Sequence, residues 1–253
     1  MRRLSPVLDP IIKFLFDVLS FFYKYVNDWG VAIVLLTLAI RVVLLPLTIK
    51  QTKSTYELQR IQPKIKELQK KYKDNKEKLQ EETLKFYQEN KVNPLGGCLP
   101  LLLQMPIFFA LFQMLGSTTK TIDGQKTVVL GRLLEHIDSL PAVEAIAQKK
   151  FWIILPDLTL TPQKMFEAQG LVAVIPYVLL VIMFGLSVYL PQRMQPSTDK
   201  SQKNIALYMS VMMLWFGWVS PAGVLVYWVT SSLLQIGQQW IMQKMYARNE
   251  GAE

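Results

Sequence analysis

Cysteine and histidine are almost missing from this chain of 253 residues, which has one of each, Cys98 and His136. A single cysteine closes no intrachain disulfide, and one Cys with one distant His cannot supply the ligand set of an ordinary zinc site. The same scarcity leaves no Ser, His, Asp set at membrane depth, which argues against an intramembrane protease. There is no GxxxxGK[ST] stretch, so the usual phosphate-cradling loop of nucleotide-driven machines is lacking. Nothing in the sequence calls for a metal, a cofactor or enzymatic chemistry. Repeats and low-complexity segments are also absent. Acidic residues are fewer than basic ones, 19 against 28, and they avoid the long apolar runs altogether.

Those apolar runs are the dominant feature of what is present. Half the residues are hydrophobic (51%), and charge is segregated from them in blocks. Crossing a hydrocarbon core of about 30 Å takes about 20 helical residues. Five blocks approach this: 29–49, 95–115, 170–190, 203–219 and 224–241. The last two are separated only by "SPAG", Ser220 to Gly223, a turn signal that predicts a tight antiparallel hairpin. The expected fold is therefore an all-α polytopic membrane protein with five transmembrane helices.

Orientation follows from the basic residues next to the spans. Twelve Lys and Arg lie in 50–94, three in 191–204 after the third span, and two in the 242–253 tail. With five spans these segments share one side, the cytoplasm. The opposite side holds the 116–169 loop, where six basic residues balance six acidic ones, and the uncharged 220–223 turn. The predicted topology is N-out, C-in, with 191–202 as a cytoplasmic linker. Arg2 and Arg3 argue the other way. No lipobox cysteine or convincing signal peptide is expected near the N-terminus.

Residues 1–28 read as an interfacial amphipathic helix on the outer side. Its polar members Lys13, Asp17, Ser20 and Lys24 fall on one stripe, and Asp9 before Pro10 suits an N-cap. A sixth, poor span or a signal anchor is the alternative. In 50–94, Leu58, Ile61, Ile65, Leu68 and Tyr72 form a heptad seam, broken by "KDNK" before a second stripe at Leu79, Thr83 and Phe86. This predicts a cytoplasmic antiparallel helical hairpin, kinked near Pro63, with a solvated linker as the alternative. The outer loop has a helix-like stretch from Val128 to Lys150, then an interfacial "KKFWIILPDLTLTP".

Arg41 stands inside the first span, on one stripe with Thr37 and Thr48. A charge at that depth costs several kcal/mol unless partnered or hydrated, about 2.5–3.5 kcal/mol on translocon scales. An ion pair is excluded within the spans, because none contains an acid. The nearest, Asp28, is thirteen positions away, about 20 Å along a helix. A wet, polar-lined cavity remains, in which Arg41 awaits something negative that comes and goes. The second span adds Gln104, and the last adds Tyr227, Ser231, Gln235 and Gln238 on one side. Ordinary interhelical hydrogen bonding is the alternative for these.

"KVNPLGGCLPLLLQMPIFFALF", Lys91 to Phe112, closely resembles the signature of the YidC/Oxa/Albino family of membrane protein insertases. "RVVLLPLTIKQ" from Arg41, "QPKIKELQKKY" from Gln62, "LPDLTLTP" and "PAGVLVYWVTSSLLQIGQQ" extend the resemblance over most of the chain. It implies five helices around a hydrophilic groove, open to the cytosol and to lipid and closed outside, with Arg41 at the position of the family's groove arginine. The candidate substrate-binding residues are Arg41, Thr37, Gln104, Tyr227, Trp228 and Ser231. The implied function is a non-enzymatic insertase and chaperone of the bacterial plasma membrane. It would take nascent membrane proteins from the cytosol and release them into the lipid bilayer. The ribosome and a Sec translocon stay open as partners, and no direct recognition of nucleic acid is expected. Against larger family members the sequence lacks an extra N-terminal span, a large periplasmic domain and a long basic tail. An anion channel or transporter and a non-inserting assembly factor are the competing readings, and no internal symmetry of the transporter kind is seen.

Overall fold

The computed structural model describes residues 9–73, 75–90, 92, 99–122, 125–130, 133, 136, 150–152, 154–194 and 200–250. Cys98, the start of the Lys91–Phe112 signature and most of the helix-like Val128–Lys150 stretch lie outside the described residues. The helices are α1 (Asp9–Val26), α2 (Trp29–Lys71), α3 (Lys76–Glu89), α4 (Leu99–Leu115), α5 (Pro162–Met194), α6 (Lys200–Val219) and α7 (Ala222–Glu250). Between α4 and α5 lies one antiparallel pair, β1 (Ser117–Ile122) and β2 (Gln125–Leu130).

Helix α1 opens at Asp9 with Pro10 in its first turn, and buries Ile12, Leu15 and Leu19 against α2 and α4. Lys13, Asp17 and Lys24 are exposed on a second face, and Phe14, Phe21 and Tyr25 on a third. Asn27, with φ 52°, turns the chain into α2, a left-handed position that Asn tolerates. Asp28 then caps α2 by accepting from the Val31 N–H at 2.9 Å.

Helix α2 is a single element of 43 residues, about 65 Å long. It runs without a break through Pro46 and Pro63, so the expected boundary at 49/50 is not a break in the backbone, and the helix carries on across Pro63. The chain reverses at Tyr72–Asn75, where Asn75 caps α3 by accepting from the Lys78 N–H at 3.0 Å. This is the "KDNK" break. Ile61 and Ile65 pack with Leu58, Phe86, Tyr87 and Val92, which gives the helical hairpin its own small core. Val92 was not in the predicted seam, and Leu84 on α3 is exposed.

One strand pair stands within an otherwise helical fold. Val128, the predicted start of a helix-like stretch, instead pairs with Thr119, and the register runs from Ser117↔Leu130 to Ile122↔Gln125. The reason is local. "STTKTI" and "KTVVL" are rich in β-branched residues, and the sequence between the strands is Asp-Gly, a pair favoured in two-residue hairpin turns.

Helix α5 is interrupted at Gly170, whose φ of 78° and ψ of −164° no residue with a Cβ adopts readily. The interruption separates a short helix, starting at Pro162, from the predicted third span. Helices α6 and α7 follow each other through a short turn, but α6 packs along α5 and has only sparse contact with α7, so the expected tight antiparallel pair is not formed. Ser220 and Pro221 link them, and the Ser220 hydroxyl donates to the Phe216 carbonyl at 2.8 Å. α5 packs against both α6 and α7, and α7 lies along α2.

The main core fills one end of the bundle, with Trp29, Ile33, Leu36, Leu111, Met114, Leu115, Ala222 and Val224 at or near zero exposure. Segment 151–160 seals that end. The N–H groups of Gly223 and Ala222, orphaned at the start of α7, donate to the Leu158 and Leu160 carbonyls at 2.8 and 3.0 Å. Tyr177 holds the same segment, donating to the Asp157 carbonyl at 2.6 Å and accepting from its N–H at 2.9 Å. The flanks of the bundle are strongly apolar. Val43 (75% exposed), Val172 (81%), Tyr208 and Trp215 point outward with many other large side chains.

Candidate functional site

Below the sealed core, α2, α4 and α7 each contribute polar side chains to one cluster. α2 and α7 run in the same direction, so residues spaced by about seven on each meet at successive levels. Arg41 faces Ser231 and Gln235, and Thr48 faces Gln238 two turns further along.

The half-buried Arg41 guanidinium donates to the Ser231 hydroxyl from Nε at 3.1 Å and from Nη2 at 2.7 Å. Nη2 also donates to Gln235 Oε1 at 3.2 Å. From α4, Gln104 Nε2 donates to the Tyr227 hydroxyl and to Ser231 Oγ, the latter at 3.4 Å. Tyr227 is fully buried and Ser231 nearly so (0% and 4% exposed). Thr48 and Gln238 continue the seam, with Gln238 Nε2 donating to Thr48 Oγ1 at 2.9 Å.

Every hydrogen-bond acceptor around Arg41 is neutral, and among the described residues it has no ion pair. Its charge is solvated by hydroxyl and amide oxygens and is not cancelled. Burying a cation without hydrogen-bond partners would cost far more, so these acceptors make the position tolerable and leave the field of a full positive charge in place. In hydrogen bonding Arg41 is well supplied, by Ser231 and Gln235.

Of the predicted site residues, the structure brings Arg41, Gln104, Tyr227 and Ser231 together. It does not bring in the other two side chains. Thr37 is buried, and its hydroxyl donates to the Ile33 carbonyl of its own helix at 2.7 Å. The Trp228 ring turns toward α4 and α5, meeting Phe108 edge-on at 5.2 Å and Phe184 at 5.5 Å. Gln235 and Gln238 share the helical stripe of Tyr227 and Ser231, yet were not among the predicted site residues. Their spacing of four and three was the available signal. Gln51, nearly fully buried with no hydrogen-bond partner for its amide, carried no signal in the sequence. No group of three or more His, Cys, Asp or Glu able to hold a metal occurs among the described residues.

A family model described as "60Kd inner membrane protein" matches residues 21–250. Among curated relatives, the membrane protein insertase YidC of Endomicrobium trichonymphae is 36% identical over 234 residues, covering 92% of this chain and 39% of the relative. That of Syntrophobacter fumaroxidans is also 36% identical, over 91% of this chain and 37% of the relative. The chain thus spans about two-fifths of the length of these relatives. Among solved structures, an active YidC insertase with its first transmembrane domain resolved superposes with a TM-score of 0.63 at 27% identity. That match covers 92% of this chain and 45% of the other.

Proposed function

The chain belongs to the 60Kd inner membrane protein family, and on that premise we propose that it is a membrane protein insertase of the bacterial inner membrane. Its clients are nascent hydrophobic segments arriving from the cytosol. The two longest apolar helical stretches, Trp29–Leu58 and Pro162–Leu190, are only 28% and 33% buried, too little for core helices of a water-soluble protein. Gln104–Leu115 and Leu207–Val219 are shorter apolar stretches. With the apolar part of α7 they make five crossings, N-out and C-in. The exposed Phe14, Phe21 and Tyr25 beside Lys13, Asp17 and Lys24 suit α1 to the outer interface.

The single observation that carries the reading is the Arg41 cluster. A cation solvated by neutral acceptors lies between helices whose opposite end is packed solid. Such a site receives a negative or polar segment from the cytosolic side and has no through-path for it. We read the space around the cluster as a groove open to the cytosol and to lipid. Arg41 draws the polar, often acidic, outer tail of a client part of the way across, and the client's apolar segment then leaves into lipid. Burial of that segment, about 25 cal/mol per Å² of apolar surface, drives the step without ATP or a cofactor. The helical hairpin at the far end of α2 receives the client. The ribosome and a Sec translocon are candidate deliverers.

The test is reconstitution of the purified chain alone in liposomes with a single-span client, scored by protease protection of its tail. Insertion above protein-free liposomes is expected. Chloride flux without insertion would favour an anion channel, and neither activity would favour an assembly factor.

A further inference from the structure

We propose that Ser231, seconded by Gln235, keeps Arg41 a weak and reversible carboxylate receptor by occupying the guanidinium edges that a carboxylate would otherwise clasp. The inference rests on the insertase reading and names how that site tunes its grip. An arginine binds a carboxylate best through two parallel N–H groups, at the Nε/Nη2 edge or at the Nη1/Nη2 edge. Here the Ser231 hydroxyl sits on the first edge, 3.1 Å from Nε and 2.7 Å from Nη2. The two hydrogens of Nη2 diverge. With one aimed at Ser231, the other serves Gln235 Oε1 at 3.2 Å, so the second edge is half taken.

What is left is Nη1, whose two N–H groups have no partner among the described residues. An incoming Asp or Glu side chain therefore meets Arg41 through one nitrogen, unless it displaces a resident acceptor. The serine is held at this post from a second direction, since its Oγ also accepts from Gln104 Nε2 at 3.4 Å. A resident carboxylate would cancel the charge, and no acceptor at all would leave both forks open in a half-buried site. Serine and glutamine avoid both outcomes. They satisfy the N–H groups, keep the charge and leave a one-nitrogen contact that a client can leave.

The experiment uses the full chain in liposomes and a single-span client whose outer tail carries two Asp, beside a version with both changed to Asn. A photocrosslinker in the tail reports how long it stays at the groove. Ser231→Ala should lengthen the residence of the Asp tail roughly tenfold and leave the Asn tail unchanged, since a freed fork offers one more charge-assisted hydrogen bond. Ser231→Thr, which retains a hydroxyl, should shorten it again relative to Ser231→Ala. Should Ser231→Ala fail to accumulate, Gln235→Met tests the other edge and should give a smaller change of the same sign. Equal lengthening for both tails, or an Asp tail released no more slowly in either variant, would overturn the inference. If the wild-type chain itself does not distinguish the tails, the fault lies with the receptor reading of Arg41.

Discussion

Asp28 ties the start of α2 to Trp152, more than a hundred residues away. One carboxylate oxygen caps the helix at Val31, and the other accepts from the Trp152 N–H at 2.7 Å. One side chain thus fixes both where α2 begins and where the sealing segment lies over it. Asp28→Ala should therefore destabilise the protein by about 1–2 kcal/mol, a cap lost together with a loop anchor. Asp28→Asn, which can still accept at one oxygen, should lose less. Thermal unfolding in detergent separates the two.

Gly30 lies directly under Phe151, and a Cβ at this position would fall 2.0 Å from the ring. Gly30→Ala should therefore displace the sealing segment and lower the melting temperature, at about 1–3 kcal/mol. Phe151→Ala in the same chain should recover part of that loss. Additive losses in the double variant would show that the two residues do not share this space.

The helical hairpin depends on a small seam. Ile61→Asp with Ile65→Asp should open it and reduce insertion several-fold while the chain stays in the membrane, because its core is separate from that of the bundle. Leu84→Asp, on the exposed side of α3, is the matched control and should change stability by less than about 0.5 kcal/mol. Limited proteolysis together with the liposome assay reads both. Normal insertion by the Ile variant would remove the receiving role given to the hairpin.

Arg41→Lys should keep much of the activity, since a cation remains at the same depth although the fork is lost. Arg41→Ala should fail mainly with clients whose outer tails are acidic, and Arg41→Glu more severely. Melting temperature should change little in Arg41→Ala. The lost hydrogen bonds to Ser231 and Gln235 are offset by removal of a half-buried charge, and no acid is left unpaired. A clear loss of stability with no dependence on the client's tail would make Arg41 a structural residue.

Topology can be read with single cysteines in a Cys98→Ser background. An impermeant thiol reagent added outside should label Gly124→Cys and leave Asn75→Cys and Thr198→Cys untouched. Labelling at Asn75 from outside would end the five-crossing, N-out arrangement.

Most of the helices, and the polar residues that stand among apolar ones, were legible in the sequence, whereas the strand at Val128 and the unbroken run of α2 past residue 49 were not. Apolar length, the Ser220–Gly223 turn and the Lys73–Lys76 break are local signals, and each recurs in the structure as a helix or an end of one. Arg41 was legible for the same reason, because a charge in an acid-free apolar run is costly wherever the chain goes. What Arg41 touches is set by the packing of helices far apart in the chain. Its partners Ser231 and Gln235 lie 190 and 194 positions away, and their meeting depends on the relative rotation and axial register of α2 and α7. Thr37 and Trp228 show the limit of stripes. Thr37 shares the stripe of Arg41 but bonds to its own helix, and Trp228, one residue from Tyr227, is turned about 100° around the axis into an aromatic contact. A helical period gives the direction of a side chain relative to its own helix. The neighbour it meets is set by how three helices pack around a common core.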